Sequence, residues 1–313
     1  MRKLYVFAAV LCFAPCATAA DAVWIDSDVS IGSPIREVDD AYALVLASHS
    51  PEIRIVGLST TYGNAPLGHT KRMAQDIVRR FGAPAGLSVT KVYSGARSAS
   101  ELGRRTDASN ALAAALEKDR LTYIALGPST NLATFLRLHP KLASRIDRVI
   151  FLGGQSPGTS LALRPNGSFR IHDANVFKDP AATAVVLRSN IPLTAIPVAI
   201  ASKLQLDATD LRQLEKSGEA GNYLSRRSRT WFWFWTNIVN TKGGSIFDTL
   251  AIIAATKPKL LAIEKRYAWM DQKRDLRVTG RQKNGRRVTY CTGFAPKTKQ
   301  FVMRRLMKPQ RPK

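Results

Sequence analysis

Four carboxylates fall within fifteen residues near the start of the chain: Asp26 and Asp28 in Asp26-Ser27-Asp28, then Asp39 and Asp40. Gathered on one rim, four like charges repel unless a cation sits among them. Oxygen-rich ligands of this kind suit Ca²⁺ or Mg²⁺, and Ca²⁺ accepts the irregular geometry of a loop more readily. A plainer role also exists, because Asp39 and Asp40 favour a helix start by capping and by attraction to its dipole. That role suffices for Asp39 alone. For the whole cluster, with Asp26 and Asp28 at a strand end, the pattern favours metal binding.

The elements that must position these acids follow from hydrophobic periodicity. Strands are expected at Ala22–Asp26, Arg54–Thr60, Ser88–Tyr93, Leu121–Leu126, Arg148–Leu152 and Leu193–Pro197. Helices are expected at Asp39–His49, Thr70–Phe81, Ala108–Glu117, Asn131–Leu138 and Pro180–Leu187, then near 207–216, 220–238 and 246–256. Strands alternating with helices imply crossover connections. The expected fold is one Rossmann-like α/β domain over residues 21–307, a mainly parallel central sheet with helices on both faces. In such sheets ligands sit beyond the carboxyl ends of the strands. Asp28, Asn64, the turn Gly127-Pro128-Ser129-Thr130-Asn131 and Gly153-Gly154 all follow strands, and are expected to converge on one rim.

The ends read differently. Arg2 and Lys3, the apolar run Leu4–Pro15 and the small residues Ala17-Thr18-Ala19-Ala20 predict a cleaved signal peptide over residues 1–20. The run is too short to span a bilayer, which takes roughly 20 residues. No later segment is apolar enough to do so. The mature chain is therefore expected to be exported, periplasmic or secreted, with a bacterial periplasm suiting a chain without disulfides. Of the three cysteines, Cys12 and Cys16 leave with the signal, so Cys291 stands alone and thiolate clusters are excluded. It lies in what reads as a basic, irregular tail, and a nucleophilic role is not expected. The net charge of +24 is concentrated late, with sixteen Lys and Arg against two acids from Lys265 to Lys313. Such a stretch can attract polyanions. The plainer reading is a solvated β-rich cover with a basic tail at 308–313, and no dedicated nucleic-acid partner is expected.

The same acids carry a resemblance. Asp26-Ser27-Asp28, Asp39-Asp40-Ala41 and Thr60-Thr61-Tyr62-Gly63-Asn64 resemble the amino-terminal signature of the inosine–uridine-preferring nucleoside hydrolase family. Leu126-Gly127-Pro128-Ser129-Thr130-Asn131-Leu132 is similar to that family's "LGPLTNL" segment, and Asn175 with Asp179-Pro180-Ala181-Ala182 to its "FN…DPEAA" segment. Phe247-Asp248 falls where the family has a late His-Asp pair. The matches are collinear to about residue 260. The resemblance implies the nucleoside hydrolase fold and a calcium-dependent N-ribohydrolase that splits a ribonucleoside into free base and ribose. It implies that Asp28, Asp40, Asp248 and the backbone carbonyl of Leu126 hold Ca²⁺, and that Asp28 is the general base on the attacking water. It further implies that Asp39, Asn64 and Asn175, with Asp173 a weaker candidate, grip the ribose hydroxyls, and that the chain forms homo-oligomers.

The chain departs from the family's pattern at two places. Val29–Val38 (VSIGSPIREV) replaces a tight three-residue turn and must fold back for Asp40 to reach the metal. Phe247, which has no proton to donate, replaces a His that protonates the departing base, and the His-containing segment expected around Ala96–Asp107 is also absent. His172 beside Asp173 is weighed as an acid, with a solvated loop His the plainer reading. Trp231-Phe232-Trp233-Phe234-Trp235 invites base stacking, although core packing explains most of it. Two other functions are consistent with parts of the sequence. One is a nucleoside-binding relative with little turnover. The other is a phosphatase, since Trp24–Ser30 resembles the "DxDxT" motif of the haloacid-dehalogenase type, with Asp26 as nucleophile; that reading leaves Asp39-Asp40 and Asn175 unexplained.

Overall fold

The structure, a computed structural model, describes residues 20–155, 161–163, 169–281 and 284–308. Residues 1–19 of the expected signal peptide and 309–313 of the expected tail lie outside the described residues. Thirteen strands are present among the described residues: β1 (Asp21–Ser27), β2 (Ile53–Thr60), β3 (Val92–Ser94), β4 (Leu121–Ala125), β5 (Ile146–Leu152), β6 (Leu161–Leu163), β7 (Phe169–Ile171), β8 (Leu193–Ile196), β9 (Gln205–Leu206), β10 (Gly244–Ser245), β11 (Leu261–Met270), β12 (Leu276–Thr279) and β13 (Arg286–Phe294). Nine of them form one sheet in the order β12-β11-β13-β8-β5-β4-β1-β2-β3, while β6–β7 and β9–β10 are separate two-stranded pairs. In the large sheet only β11 runs against the rest.

The helices are α1 (Asp39–Ser48), α2 (Leu67–Phe81), α3 (Asp107–Lys118), α4 (Thr130–Leu138), α5 (Ala174–Lys178), α6 (Pro180–Arg188), α7 (Val198–Ala201), α8 (Ala208–Glu215), α9 (Glu219–Arg227), α10 (Arg229–Trp233), α11 (Thr249–Thr256) and α12 (Thr298–Leu306). Strand pleating sends alternate residues to opposite faces. Val23, Ile25, Ile124 and Ile150 therefore join the core that packs α1, α2, α8, α9, α11 and α12. Trp24, Tyr123, Val149 and Phe151 join the core on α3, α4 and α6. With both faces covered, β4 is buried at every residue and reads as a continuous apolar run. Periodicity is equally direct in α2, which buries Ala74, Ile77, Val78 and Phe81 on one stripe.

Four expectations are corrected. Of Ser88–Tyr93, residues Val89–Lys91 form a 3₁₀ turn and only Val92–Ser94 pair as strand, because β3 is a short edge against β2. The single helix expected near 220–238 is broken into α9, α10 and a π turn at Phe234–Ile238. The late basic stretch is not a cover: β11, β12 and β13 extend the main sheet beyond β8. Cys291 lies not in an irregular tail but on β13, fully buried, with burial pushing its thiol pKa up. Several of the late cations have intramolecular work. Arg305 forks onto Glu52 at 2.7 and 2.9 Å, Lys299 meets Asp207 and Asp210, and Arg277 meets Asp271 and Asp275.

Candidate active site

From β1 the chain runs to β2 and β3 on one side, then crosses back to place β4 and β5 on the other. The crevice at this reversal is where open α/β sheets bind ligands. It holds a cavity of about 240 Å³ whose wall includes Asp28, Asp39, Asp40, Asn64, Leu126, Asp173, Asn175 and Asp248. All eight site residues that the family resemblance implies are thus brought together.

Asp28 leaves the end of β1, and Asp39 and Asp40 open α1. Asp248 opens α11, a helix buried at every residue. Two buried helices thus present their N-termini, each with acidic residues, to one space, where the helix dipoles favour negative charge. Ser27 Oγ donates to Asp40 Oδ1 at 2.5 Å and the Asp28 backbone N–H reaches the same oxygen at 3.1 Å, so the 29–38 loop does fold back. Asn64 closes the group: its backbone N–H donates to Asp28 Oδ2 at 2.7 Å, and its side-chain amide to Asp40 Oδ2 at 3.1 Å. This approach needs Gly63, whose φ is +154° and at which a Cβ would come within 1.7 Å of Asp28 Oδ2.

Carboxylate oxygens of Asp39, Asp40 and Asp248 lie within 4.8 Å of one another, and all three residues are buried. Asp39 Oδ1 and Asp248 Oδ1 find no hydrogen-bond partner among the described residues, and α1 has no side-chain cap. Asp39 stands in the first turn of α1, where backbone N–H groups favour its carboxylate as expected for a helix start, and its Oδ1 is left over from that role. Buried oxygens left unpaired are costly, and a hard dication would satisfy this donor set. Protonation is the other way out. Burial, then the neighbouring Asp40, pushes the Asp28 pKa up to about 8. Burial and Asp39 push Asp40 to about 6. Asp39 and Asp248 are raised well above the carboxylate range, by burial first and then by neighbouring acids. The acidic cluster is therefore a candidate metal centre. Its trio contains Asp39, whereas the resemblance implied Asp28; here the Asp28 carboxylate is held by Asn64 and lies 3.6 Å from the Lys178 ammonium.

On the opposite wall, Asn175 Nδ2 donates to the carbonyls of Leu126 at 2.6 Å and Leu152 at 3.1 Å. Asp173 accepts from the Gly154 and Val176 backbone N–H groups at 2.6 and 3.3 Å. Asp26 does not join them. It is fully buried, accepts from Ser59 Oγ and Asn131 Nδ2, and ties β1 to the turn that starts α4. It lies within β1, one residue short of the strand end, and its full burial also removes it as the exposed nucleophile a phosphatase would need.

The family model for inosine-uridine preferring nucleoside hydrolase matches residues 23–308. The chain belongs to that family. It is 25% identical over 263 residues to a probable uridine nucleosidase 2 of Arabidopsis thaliana, covering 71% of this chain and 76% of the relative. It is 26% identical over 206 residues to the pyrimidine-specific ribonucleoside hydrolase RihA of Salmonella typhimurium, covering 58% and 63%. Among solved structures, a plant nucleoside hydrolase superposes with a TM-score of 0.77 at 20% identity, over 92% of this chain and 99% of that one. A purine-preferring ribonucleoside hydrolase from Gardnerella vaginalis gives 0.75 at 21%, over 92% and 98%. The fold is that of the nucleoside hydrolases, and the chain is an N-ribohydrolase by family, acting on the N-glycosidic bond of ribonucleosides.

Against this family's pattern, two residues of the cavity wall stand out. Phe247 lines the cavity and packs on Trp235, ring centroids 5.9 Å apart. His172 also lines it, exposed and stacked on Phe177. Two charged residues escaped the sequence reading: Glu37, at the end of the 29–38 loop, and Lys178, beside Asp28. Lys178 carried a faint signal as the cation just before Asp179-Pro180. Glu37 carried none beyond being an acid two places before Asp39.

Proposed function

We propose that the protein is a calcium-dependent ribonucleoside hydrolase working outside the cytoplasm, where it releases free base and ribose from scavenged nucleosides. The observation that carries the calcium assignment is the buried trio Asp39, Asp40 and Asp248, two of whose oxygens lack partners among the described residues, in the same cavity as Asn64 and Asn175. Asp28, Asp40, Asp248 and the Leu126 carbonyl would hold the ion, with Asp39 alongside. Calcium bound there supplies a Lewis acid for water and an anchor for a vicinal diol.

The chain's own residues do the rest. Asp28, kept ionised by the cation that the cluster would hold, takes the proton of the attacking water on a carboxylate oxygen. The Asn175 amide spends its N–H₂ on two carbonyls, which leaves Oδ1 to accept a ribose hydroxyl. Asn64 spends its N–H₂ on Asp28 and Asp40 and likewise keeps Oδ1. Asp39 and Asp173 add carboxylate acceptors. Together these negative groups stabilise the positive charge that develops on the ribose as the bond to the base breaks. Phe247 offers the base a flat apolar contact and no proton.

A panel of ribonucleosides, assayed for free ribose with calcium and with a chelator, tests the reading, with p-nitrophenyl phosphate alongside. Chelator-sensitive ribose release is expected. Phosphate release without ribose release would overturn it. The exported setting rests on residues 1–20, and the amino terminus of the protein recovered from a producing cell should begin at about residue 21.

A further inference from the structure

Glu37 belongs to neither the carboxylate trio nor the set that holds ribose, yet it lines the same cavity. The loop that carries it is tied down: Ser30 Oγ donates to the Glu37 carbonyl at 3.1 Å, and Arg36 donates to the Asn64 carbonyl. The side chain is tied down as well. Trp231 Nε1, on a ring only 1% exposed, donates to Glu37 Oε2 at 2.8 Å. One turn on, in the π turn, Trp235 is equally buried and its Nε1 has no hydrogen-bond partner among the described residues. That N–H lies close enough to favour the Glu37 carboxylate without completing a bond to it. The Trp235 ring in turn backs Phe247. The same Trp-rich segment thus holds Glu37 through Trp231 and backs Phe247 through Trp235, and both residues line the cavity. Among the described residues no Lys or Arg forms a salt bridge with it, and the cation that favours it from a distance, Lys178, lies 3.6 Å from Asp28.

The cavity wall carries both kinds of group that a nucleoside calls for, acids and amides for its hydroxyls and Phe247 for its flat ring. We propose that Glu37 is a specificity-determining residue, accepting a hydrogen bond from a ring N–H or exocyclic amino group of the nucleobase that lies against Phe247. This rests on the nucleosidase reading above. Trp231 is the positioning residue that aims the carboxylate, which explains why a polar contact is built between an inserted loop and the Trp-rich segment.

The test compares kcat/KM of the calcium-loaded chain for inosine and uridine with that for p-nitrophenyl β-D-riboside, whose aryl group carries no N–H. In Glu37→Ala the nucleoside-to-aryl ratio should fall about tenfold, the usual cost of losing a hydrogen bond to a charged acceptor. Glu37→Gln, which keeps the shape, and Trp231→Phe, which keeps the ring but not the N–H, should move the ratio in the same direction by less. A ratio unchanged in all three, with melting curves showing folded protein, would overturn the assignment. Should the wild type release ribose from no substrate, the nucleosidase reading fails on its own. The same variants are then compared by calorimetry for inosine against ribose. Selective loss of inosine affinity supports Glu37 as a base contact, and equal affinities in wild type and variants overturn it.

Discussion

At the scale of single residues, neighbouring acids of the same type meet different fates. Asp28 and Asp26 are two positions apart, yet one faces the cavity and the other is turned into the fold, toward Ser59 and Asn131. The sequence placed both at a strand end and could not tell them apart, because the partners of Asp26 come from 33 and 105 residues away. Glu37 was invisible for the same reason, since its meaning depends on Trp231, 194 residues later. Asp28→Asn keeps an oxygen for the Asn64 N–H but cannot take a proton. It should lower kcat by roughly 10²–10⁴, the usual share of a general base. Nucleoside affinity, read by calorimetry, should be largely retained. A variant that turns over at the wild-type rate would remove Asp28 from the chemistry.

At the scale of elements, the site exists because β1, β2, β4 and two buried helices end at one place. These were readable in the sequence, since parallel strands covered on both faces show as apolar runs and the acids follow them directly. What was not readable depends on distant pairing. β11–β13 reads as a basic cover until β13 is seen to pair with β8, and β3 shrinks to its three paired residues. The connection after β2 is the most tightly specified link. Gly63 sits at a positive φ against the Asp28 carboxylate. Gly63→Ala should destabilise the fold by roughly 1–3 kcal/mol, as residues forced into sparsely populated backbone regions do. It should also displace Asp28, so that kcat falls by more than the loss of folded protein explains. Parallel urea titration and ribose assay measure both effects, and an unchanged midpoint would show that the turn can relax.

At the scale of the whole molecule, the buried acids make stability depend on pH and on cations. In the metal-free protein Asp28 and Asp40 have pKa values of about 8 and about 6, raised from 3.8 chiefly by burial. The folded state therefore binds more protons than the unfolded state between these limits. Stability from these groups is fully present below 3.8 and is lost as pH rises through 6 and then 8. The metal-free melting temperature should accordingly fall between about pH 5 and about pH 8. Calcium, which needs the deprotonated carboxylates, should raise it most at the alkaline end. A calcium effect that is largest at acid pH would have the wrong sign for this site. The late basic residues belong to the same scale. Arg305, Lys299 and Arg277 are engaged within the fold, which accounts for part of the positive charge without a polyanion.

The central claim is that the cation held by the acidic cluster is the one on which nucleoside hydrolysis depends. The direct measurement is ribose release from one good nucleoside substrate as free calcium is varied in buffered steps, for wild type and for Asp248→Asn. Asp248 has an oxygen without a partner among the described residues at the start of α11 and takes no part in the proposed proton transfer. The variant should reach half-maximal activity at calcium roughly tenfold or more above wild type, since losing a charged ligand weakens an oxygen site. Identical calcium curves for the two proteins, or wild-type activity that survives a chelator, would contradict the account.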